Sequence, residues 1–378
     1  MPGSLLVLTH EYPPKRGGIA TYAAETVEAA RVLGHEVTVL TPRYTPAQST
    51  GTLRITPTPV GGTQDWPDRL RMRRAVRDLE RDWSTTTLWL PEPGPLRLWL
   101  YARLLDLPRP GRLVLTLHGS EILRLAWPGH RRRRLARLLG NADVVGVVSR
   151  AVAARLEAVT GFPAARCTLV PGAVPRALEI HLSGPLTPSP PAEKRLTVLT
   201  VGRIHPRKGQ LEVVEALGAL PEPMRAAVRY RLVGPIGRPA YLGAIEARAR
   251  ALGVALSGPE EAPDEATLAQ IYRAADVFVL ASRELPQSVE GLGLVYLEAA
   301  AAGCPVIAVD SGGAREAVGP ENGTVVPPAP AGALTEALSR YLADGELRRR
   351  SGAAGPAWAR EFSWARNARH LFGRSPAA

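Results

Sequence analysis

The chain has 378 residues, of which 45% are hydrophobic and 22% charged, with two cysteines and a formal net charge of +12. This length and composition predict a globular protein of about two domains, each able to bury a core, and exclude a disordered chain. Two cysteines cannot form a disulfide framework, and no apolar run reaches the roughly 20 residues of a membrane span. The N-terminus lacks a basic start before an apolar stretch, so we expect no signal peptide and a cytoplasmic location.

Most of the positive charge lies in the first 180 residues, above all in segments 68–83 and 131–134. Segment 68–83 also carries four apolar residues at helical spacing: Met72, Val76, Leu79 and Trp83. The spacing predicts a helix that either packs its apolar stripe on the core, which is the favoured interpretation, or lies on an anionic membrane. A nucleic-acid partner is not expected, because aromatic residues make up only 5% and the basic residues follow no known module.

Apolar strands and helices alternate from the N-terminus onward. The strand SLLVLTH is followed by the helix GGIATYAAETVEAARVLG and the strand HEVTVLTP, and later strands are TTTLWLPE, RLVLTLHG and ADVVGVVS. Short buried strands that alternate with helices predict a parallel sheet covered on both faces. The first domain is therefore predicted as a doubly wound, Rossmann-like α/β domain over 1–180.

A proline-rich segment without apolar periodicity, 181–195, interrupts this alternation and predicts an interdomain linker. The alternation then restarts with LTVLTVGR and continues through DVFVLAS and PVIAVD, which predicts a second domain of the same kind over 196–356. Ligands of open parallel sheets bind beyond the carboxyl ends of the strands. Two such sheets that face each other would form a cleft.

Three candidate motifs follow predicted strands. VGRIHPRKGQ places Arg203 and Lys208 in a strand-to-helix turn, where two cations beside free helix amides suit a phosphate. YPPKRGGIATY places Gly17 and Gly18 before a helix, where bare backbone amides can approach a ligand. LHGSE places His118 at a strand end. The alternatives are a solvated basic loop, a plain turn and a structural histidine.

The segment SVEGLGLVYLEAAAAGCPVIAVDSGG contains two acids, Glu290 and Glu298, in an apolar setting. If a helix begins near Gly293, Glu298 lies in its second turn and Glu290 in the loop before it. Carboxylates accept hydrogen bonds from sugar hydroxyls, and amides at a helix start can hold phosphate. The pattern predicts a nucleotide-sugar site in which neither acid has a structural partner.

Together these segments resemble the retaining glycosyltransferases of family 4, which have the GT-B fold. The acidic segment resembles their Glu-x₇-Glu signature, and VGRIHPRKGQ resembles their pyrophosphate-binding loop. EYPPKRGGIATY, LHGSE, YRAADVFVLAS and FSWARNARHLFG also match, so the resemblance covers nearly the whole chain. Details such as HPRKGQ and SVEGLG look most like the bacterial mannosyltransferases that use GDP-mannose and phosphatidylinositol mannosides.

The resemblance implies a role for each candidate residue. Glu290 would bind the donor sugar near the reacting carbon, Glu298 the ribose hydroxyls, and His118 the sugar near its 6-hydroxyl. Arg203 and Lys208 would neutralise the leaving diphosphate. Backbone amides would assist at four positions, Gly17, Gly18, Leu292 and Gly293, and Gly291 would also belong to the donor-binding loop. The final helix, within 357–378, would cross back onto the first domain.

Further expectations follow from the resemblance. The partners are a nucleotide-sugar donor and a glycan or glycolipid acceptor, with possible peripheral contact to the anionic inner face of the plasma membrane. No Asp-x-Asp motif is present, so no metal or other cofactor is expected. The alternatives are a UDP-glucose or UDP-N-acetylglucosamine transferase and a non-catalytic GT-B binding subunit. The sequence leaves the donor base, the acceptor and the linkage open.

Overall fold

The computed structural model describes residues 3–63, 65–126, 129–183, 195–262, 264–329 and 332–373. The chain divides into two compact units, the first formed by Met1–Gly172 with Ser363–Ala378 and the second by Ala173–Phe362. Of the expected linker at 181–195, residues 184–194 lie outside the described part of the chain. Among the described helices, none is both long and apolar enough to cross a membrane.

The first unit is an α/β unit built on one eight-stranded sheet, in the order β3-β4-β2-β1-β5-β6-β7-β8. Its elements are β1 Ser4–Leu8, α1 Gly18–Val32, β2 Glu36–Thr41, β3 Gln48–Thr50, β4 Leu53–Pro57, α2 Trp66–Arg77, β5 Thr87–Leu90, α3 Pro93–Trp99, β6 Arg112–Leu117, α4 Ser120–Ala126, α5 Gly129–Gly140, β7 Val144–Val147, α6 Arg150–Thr160, β8 Thr168–Leu169 and a last helix, Trp364–Phe372. All pairings are parallel except β3 with β4.

Burial explains why the strands of this unit read as continuous apolar runs. Leu5, Leu6, Val7 and Leu8 in β1 are each at most 1% exposed, although successive side chains point to opposite faces of the sheet. A strand is apolar on both faces only when helices cover both faces. The predicted doubly wound sheet is therefore confirmed for this unit.

The second unit has one six-stranded, wholly parallel sheet in the order β11-β10-β9-β12-β13-β14. Its elements are α7 Arg176–Leu182, β9 Leu196–Val201, α8 Gln210–Gly218, α9 Glu222–Ala226, β10 Val228–Val233, α10 Pro239–Leu252, β11 Ala255–Glu260, α11 Glu265–Arg273, β12 Val277–Leu280, α12 Leu294–Ala301, β13 Val306–Val309, α13 Ala314–Ala317, β14 Gly323–Val326, α14 Gly332–Ala343 and α15 Gly345–Arg360, and the helix Trp364–Phe372 of the first unit is α16. Its two central strands, β9 and β12, lead into the segments that carry the predicted site.

The unit boundaries differ from the expected domain limits in two places. Helix α7 packs against α11 and α12 of the second unit, so the first unit ends at Gly172 rather than at 180. Residues 357–362 belong to the second unit, and the chain re-enters the first unit only at Ser363. Neither limit has a local signal in the sequence, because both depend on which sheet a helix packs against.

The basic segment 68–83 is helical only in part, since α2 ends at Arg77. Met72 and Val76 are fully buried, which agrees with the core interpretation of the stripe, but Leu79 and Trp83 lie beyond the helix end. The β3–β4 hairpin was not predicted, because β3 is a short, exposed polar strand that carries no apolar alternation.

Helix α16 closes the first unit by packing on α1 and β8. The Arg112 guanidinium donates to the carbonyls of Phe372 and Gly373, at 2.9 and 3.0 Å, and so satisfies backbone acceptors at the end of the helix. Leu371 is fully buried, and a Cβ on Gly146 of β7 would lie 2.9 Å from its Cδ2. The absence of a side chain at Gly146 therefore lets Leu371 pack directly on the sheet.

We expect Leu371→Ala to destabilise the first unit by about 2–5 kcal/mol, because it leaves a cavity over β7 that close packing cannot fill. The exposed Arg369 on the same helix is the control, and Arg369→Ala should change stability by about 0.5 kcal/mol or less. Denaturant unfolding of the full chain measures both. Equal stability of the two variants would show that α16 is not part of the core.

Candidate functional site

The loop after β9 holds the predicted phosphate-binding cations. It runs from Gly202 through a 3-10 turn, Pro206–Lys208, to the start of α8 at Gln210. The Gln210 side chain is fully buried and donates to the Arg203 carbonyl at 3.0 Å, which fixes the path of the loop. The predicted strand-to-helix turn is confirmed, and it sets Arg203 at its start and Lys208 near its end.

Glu290 lies in the loop between β12 and α12, as predicted, and its side chain is 10% exposed. Its Oε2 atom accepts hydrogen bonds from Lys208 Nζ at 2.7 Å, Arg207 Nη1 at 2.6 Å and Ser282 Oγ at 3.0 Å. Burial opposes ionisation of the carboxyl, but the charges and hydrogen bonds of Lys208 and Arg207 outweigh it and bring the pKa of Glu290 to about 2. The carboxylate is therefore charged at every physiological pH.

Lys208 lies in the same cluster, but there burial and the neighbouring cations outweigh the effect of Glu290 on its pKa. Burial lowers the pKa of Lys208, and the charges of Arg207 and Arg203 lower it further, although Glu290 acts against them. The pKa of Glu290 and the pKa of Lys208 are both lowered, because the cluster holds more cations than carboxylates. Two cations share one carboxylate, so the carboxylate is well compensated and the lysine is not.

Glu298 lies in the second turn of α12, which begins after Gly293, as the sequence predicted. Its Oε2 accepts a hydrogen bond from the Tyr272 hydroxyl at 2.7 Å, and both side chains are buried. Burial raises the pKa of Glu298 above its ordinary value, against the hydrogen bond from Tyr272 and the charge of Lys208. The charge of Lys208 therefore reaches both acids of the Glu-x₇-Glu segment.

The expectation that neither acid has a structural partner is wrong. Glu290 has three partners and Glu298 has Tyr272, because a buried carboxylate without partners would carry a large desolvation penalty. Arg207, Ser282 and Tyr272 were missed by the sequence reasoning. Their one sequence signal is position: Arg207 precedes Lys208, and Ser282 and Tyr272 flank the strand β12 that leads to Glu290.

A close backbone approach holds the Glu290 loop against the end of β13. Gly312 has φ +55°, and a Cβ there would lie 1.8 Å from the Glu290 carbonyl oxygen. The neighbouring Gly313 donates its backbone N–H to the same oxygen at 3.2 Å. The DSGG segment therefore positions the backbone of Glu290, while Gly291 and the buried Leu292 continue the loop into α12.

The other predicted residues belong to the first unit. Gly17 and Gly18 form the N-terminus of α1, with open space around both. His118 follows β6; its Nε2 lies 2.8 Å from the Pro91 carbonyl oxygen, and its ring packs edge-on against Tyr22 of α1 at 4.9 Å. The structure therefore brings His118 and the first turns of α1 together at the carboxyl end of the first sheet.

Two buried polar groups at the same sheet edge were not predicted. Glu92 follows β5, is fully buried and accepts the backbone N–H groups of His10 and Gly94 at 2.8 and 2.7 Å. Burial raises the pKa of Glu92 to about 8, so the group is largely neutral near pH 7. Burial also lowers the pKa of His10 to about 4, so the imidazole is neutral there.

Arginines from four helices gather on one part of the first unit. Arg97 of α3 is half-buried; burial lowers its pKa, and the like charges of Arg69, Arg124 and Arg131 lower it further. Among the described residues Arg97 makes no hydrogen bond or ion pair. The Arg69 guanidinium lies over the Trp66 ring at 5.0 Å, and Arg134 lies over Tyr101 at 4.5 Å. We call Arg69, Arg97, Arg124 and Arg131 the arginine cluster.

Within the part of the chain that the structure describes, no group of three or more His, Cys, Asp or Glu side chains could hold a metal ion.

Comparison with known proteins agrees with this fold. Sucrose-phosphate synthase from Thermosynechococcus elongatus superimposes with a TM-score of 0.75 at 23% identity, over 97% of this chain and 96% of that one. This likeness, with two parallel Rossmann-like sheets, defines the GT-B class of fold. A model of Glycosyltransferase Family 4 matches residues 16–178, and a model of the glycosyl transferases group 1 matches residues 187–358.

Two relatives match along almost the full chain. The GDP-mannose-dependent alpha-(1-6)-phosphatidylinositol monomannoside mannosyltransferase of Mycolicibacterium smegmatis is 33% identical, over 99% of both chains. The protein of the same description from Mycobacterium tuberculosis is 31% identical, over 94% of this chain and 93% of that one. The chain belongs to the family 4 glycosyltransferases, and it is a glycosyltransferase enzyme.

We expect Gly237→Ala to lower turnover at least tenfold, because a Cβ there would lie 2.6 Å from Cδ and 2.7 Å from Cγ of Arg203 and displace that side chain. A shift of about 1 Å in a positioned group can reduce a rate by roughly 10²-fold. Gly243→Ala is the control, since nothing lies within 4 Å of its added Cβ. Steady-state kinetics with thermal melts compare the two, and an active Gly237→Ala variant would show that the position of Arg203 is unimportant.

We expect Tyr272→Phe to raise the KM for the donor more than it lowers kcat. The change removes one hydrogen bond to Glu298, worth about 1.5–3 kcal/mol for a charged acceptor, and leaves the packing of the ring intact. Tyr230→Phe is a matched control, because that buried hydroxyl lies 2.9 Å from Thr200 Oγ1 and has no contact with either acid. Equal effects of the two variants on KM would show that Tyr272 has only a structural role.

Proposed function

We propose that this enzyme transfers mannose from GDP-mannose to a hydroxyl group of a phosphatidylinositol mannoside, with retention of the anomeric configuration. The full-length likeness to GDP-mannose-dependent phosphatidylinositol monomannoside mannosyltransferases is the observation that carries the proposal. The buried carboxylate pair beside a cationic strand-to-helix loop supports a nucleotide-sugar donor, because it offers acceptors for sugar hydroxyls and charge for a diphosphate.

The proposed reaction needs no covalent intermediate with the protein. The bond between the sugar's anomeric carbon and the diphosphate oxygen breaks, and the acceptor oxygen bonds to that carbon on the same face. The acceptor's proton passes to the leaving phosphate. Negative charge grows on that phosphate in the transition state, so Arg203 and Lys208 stabilise the transition state more than the ground state.

The acids have different proposed roles. Glu290 binds hydroxyls of the donor sugar, and Glu298 binds the ribose hydroxyls while Tyr272 holds it in place. His118 contacts the sugar near its 6-hydroxyl. Amides at the starts of α1 and α12 assist the diphosphate, from Gly17, Gly18, Leu292 and Gly293. Loss of Glu290 should therefore lower kcat, whereas loss of Glu298 should mainly raise the donor KM.

The experiment that tests the donor is a panel of sugar nucleotides offered to the purified full chain. GDP-mannose, UDP-glucose and UDP-N-acetylglucosamine are each incubated with phosphatidylinositol mannoside, and released nucleotide and glycolipid product are measured. GDP release with a mannosylated lipid supports the proposal. Turnover of a UDP-sugar instead would select the alternative donor, and no turnover or binding of any donor would favour a non-catalytic subunit.

Activity is proposed to be independent of divalent metal, because the cations of the Arg203–Lys208 loop can neutralise the diphosphate. We expect turnover to persist in EDTA. An enzyme that loses activity in EDTA and regains it with magnesium or manganese would contradict the proposal.

Lys208→Met should in contrast lower turnover by about 10²-fold or more, as loss of one contact to a developing oxyanion does.

We also propose peripheral contact with an anionic membrane surface, through the first unit. Arg69 of the arginine cluster lies over the Trp66 ring at 5.0 Å, and Leu70 is the next residue of α2. These two apolar side chains are 48% and 42% exposed. Cations beside an exposed tryptophan suit the headgroup region of a bilayer, where amphipathic helices insert their apolar face. Such contact would bring the enzyme to a lipid-anchored acceptor on the inner face of the plasma membrane.

We expect Arg97→Gln to weaken binding to vesicles that contain anionic phospholipid by about fivefold, since each basic residue near such a surface contributes about 1 kcal/mol. Arg54→Gln is the control: Arg54 is exposed on β4, in the same unit, and lies outside the arginine cluster. Vesicle co-sedimentation at low and high salt measures both. Equal weakening by the two variants would show a dependence on net charge alone.

A further inference from the structure

One oxygen atom of Glu290 carries three hydrogen bonds, two of them from cations. Lys208, Arg207 and Glu290 are only 12%, 16% and 10% exposed at their side chains, so water screens the contacts poorly. The bonds from Arg207 and Lys208 are 2.6 and 2.7 Å long, the range of strong charge-assisted hydrogen bonds. The carboxylate therefore contacts the cations that the proposed function assigns to the diphosphate.

The charges of the loop give a simple balance. Arg203, Arg207 and Lys208 contribute three positive charges and Glu290 one negative charge, a net charge of about +2. The diphosphate of a sugar nucleotide carries two negative charges. A released nucleoside diphosphate has a terminal phosphate whose second ionisation has a pKa near 6, so it carries close to three. The site with Glu290 in place matches the substrate, and the same site without that charge would match the product.

We propose that Glu290 is also the counter-ion of the diphosphate-binding cations, and that it competes with the nucleoside diphosphate for Lys208 and Arg207. Its return to these cations after transfer lowers the affinity for the spent diphosphate and favours product release. The inference rests on the proposed function, because it takes the diphosphate to be bound by the Arg203–Lys208 loop.

The ionisation of the cluster is consistent with this competition. Burial acts against the charge of Glu290, but Lys208 and Arg207 hold its pKa near 2, so it remains a carboxylate under any assay condition near neutrality. Burial and the neighbouring guanidinium groups lower the pKa of Lys208 even with Glu290 in contact. The positive charges of the loop therefore exceed the one negative charge of Glu290. A phosphate can replace the carboxylate as the partner of these cations.

A purely structural ion pair would behave differently. In that case the removal of one partner leaves buried uncompensated charge and destabilises the fold, as breaking buried pairs usually does. The affinity for a diphosphate would then fall or stay unchanged in a Glu290 variant. Competition predicts the reverse, tighter binding of the diphosphate in a variant that turns over more slowly.

The experiment measures binding of GDP, UDP, GMP and inorganic pyrophosphate to the full chain by calorimetry, with thermal melts of each variant. We expect Glu290→Gln to bind GDP at least roughly tenfold more tightly than the unchanged protein, because a unit charge within about 4 Å is worth several kcal/mol in a partly buried site. GMP, which lacks the second phosphate, should gain much less. Slower turnover together with tighter GDP binding is the expected pair of results.

Two further variants serve as controls. Glu290→Asp keeps the charge near the cations but shortens the side chain by one methylene, so its gain in GDP affinity should be smaller than that of Glu290→Gln, and an equal gain would overturn the proposal. Glu215→Gln removes the same charge from an exposed pair with Arg248 in the same unit, at 2.6 Å, and should leave GDP binding within about twofold of the unchanged protein. A gain in Glu215→Gln equal to that in Glu290→Gln would overturn the proposal, since it would show an effect of net charge alone.

Ser282→Ala keeps the test decisive if Glu290→Gln does not fold. The substitution keeps every charge and removes the 3.0 Å hydrogen bond that holds Glu290 on the cations, so GDP should bind about threefold more tightly. No gain in either folded variant overturns the counter-ion role. If UDP binds and GDP does not, the proposed donor is wrong, and the same comparison is made with UDP. If neither nucleotide nor pyrophosphate binds to any variant, both proposals fail.

Discussion

The contact between Glu290 and the cations Lys208 and Arg207 is the interaction on which the site in the second unit depends. It joins two loops of the chain, since Lys208 and Arg207 lie 82 and 83 positions before Glu290. A charged carboxylate can be buried there only because two cations and a hydroxyl compensate it. The backbone supports this arrangement from the other side, where Gly312 and Gly313 hold the carbonyl of Glu290. The fold thereby holds in fixed positions the charged groups that are proposed to bind the diphosphate.

Strand order explains why these loops meet. β9 and β12 are adjacent in the second sheet, and both run in the same direction, so the Arg203–Lys208 loop and the Glu290 loop leave the sheet at one edge. The same holds in the first sheet, where His10 and Glu92 follow the neighbouring parallel strands β1 and β5 and so lie at one edge. Parallel sheets gather polar groups at their carboxyl edge because every strand ends there. In each unit, the buried strands supply the core and the segments beyond them supply the chemistry.

The two units differ in how their charged side chains are arranged. The second unit concentrates a small, mostly buried group of charges whose partners are fixed by hydrogen bonds. The first unit instead carries arginines from four helices, and one of them, Arg69, lies over the exposed Trp66 ring. A buried cluster is suited to one ligand of defined charge, whereas an exposed cluster attracts any anionic surface and is screened by salt. This difference underlies the two proposals, a nucleotide sugar bound by the second unit and contact of the first unit with an anionic surface.

The sequence by itself determined the two α/β units, most of their strands and helices, the strand-to-helix turn at Arg203–Lys208 and the place of Glu298 in the second turn of α12. These features depend on local patterns: apolar runs, helical spacing, and glycines at helix starts. Only the tertiary structure decided that Arg207 and Ser282 share the carboxylate of Glu290, that Tyr272 holds Glu298, and that Glu92 is buried beside His10. It also decided the unit limits at Gly172 and Ser363. Each of these depends on which segments lie next to each other in space. Sequence periodicity reports local structure only and contains no information on contacts between residues so far apart in the chain.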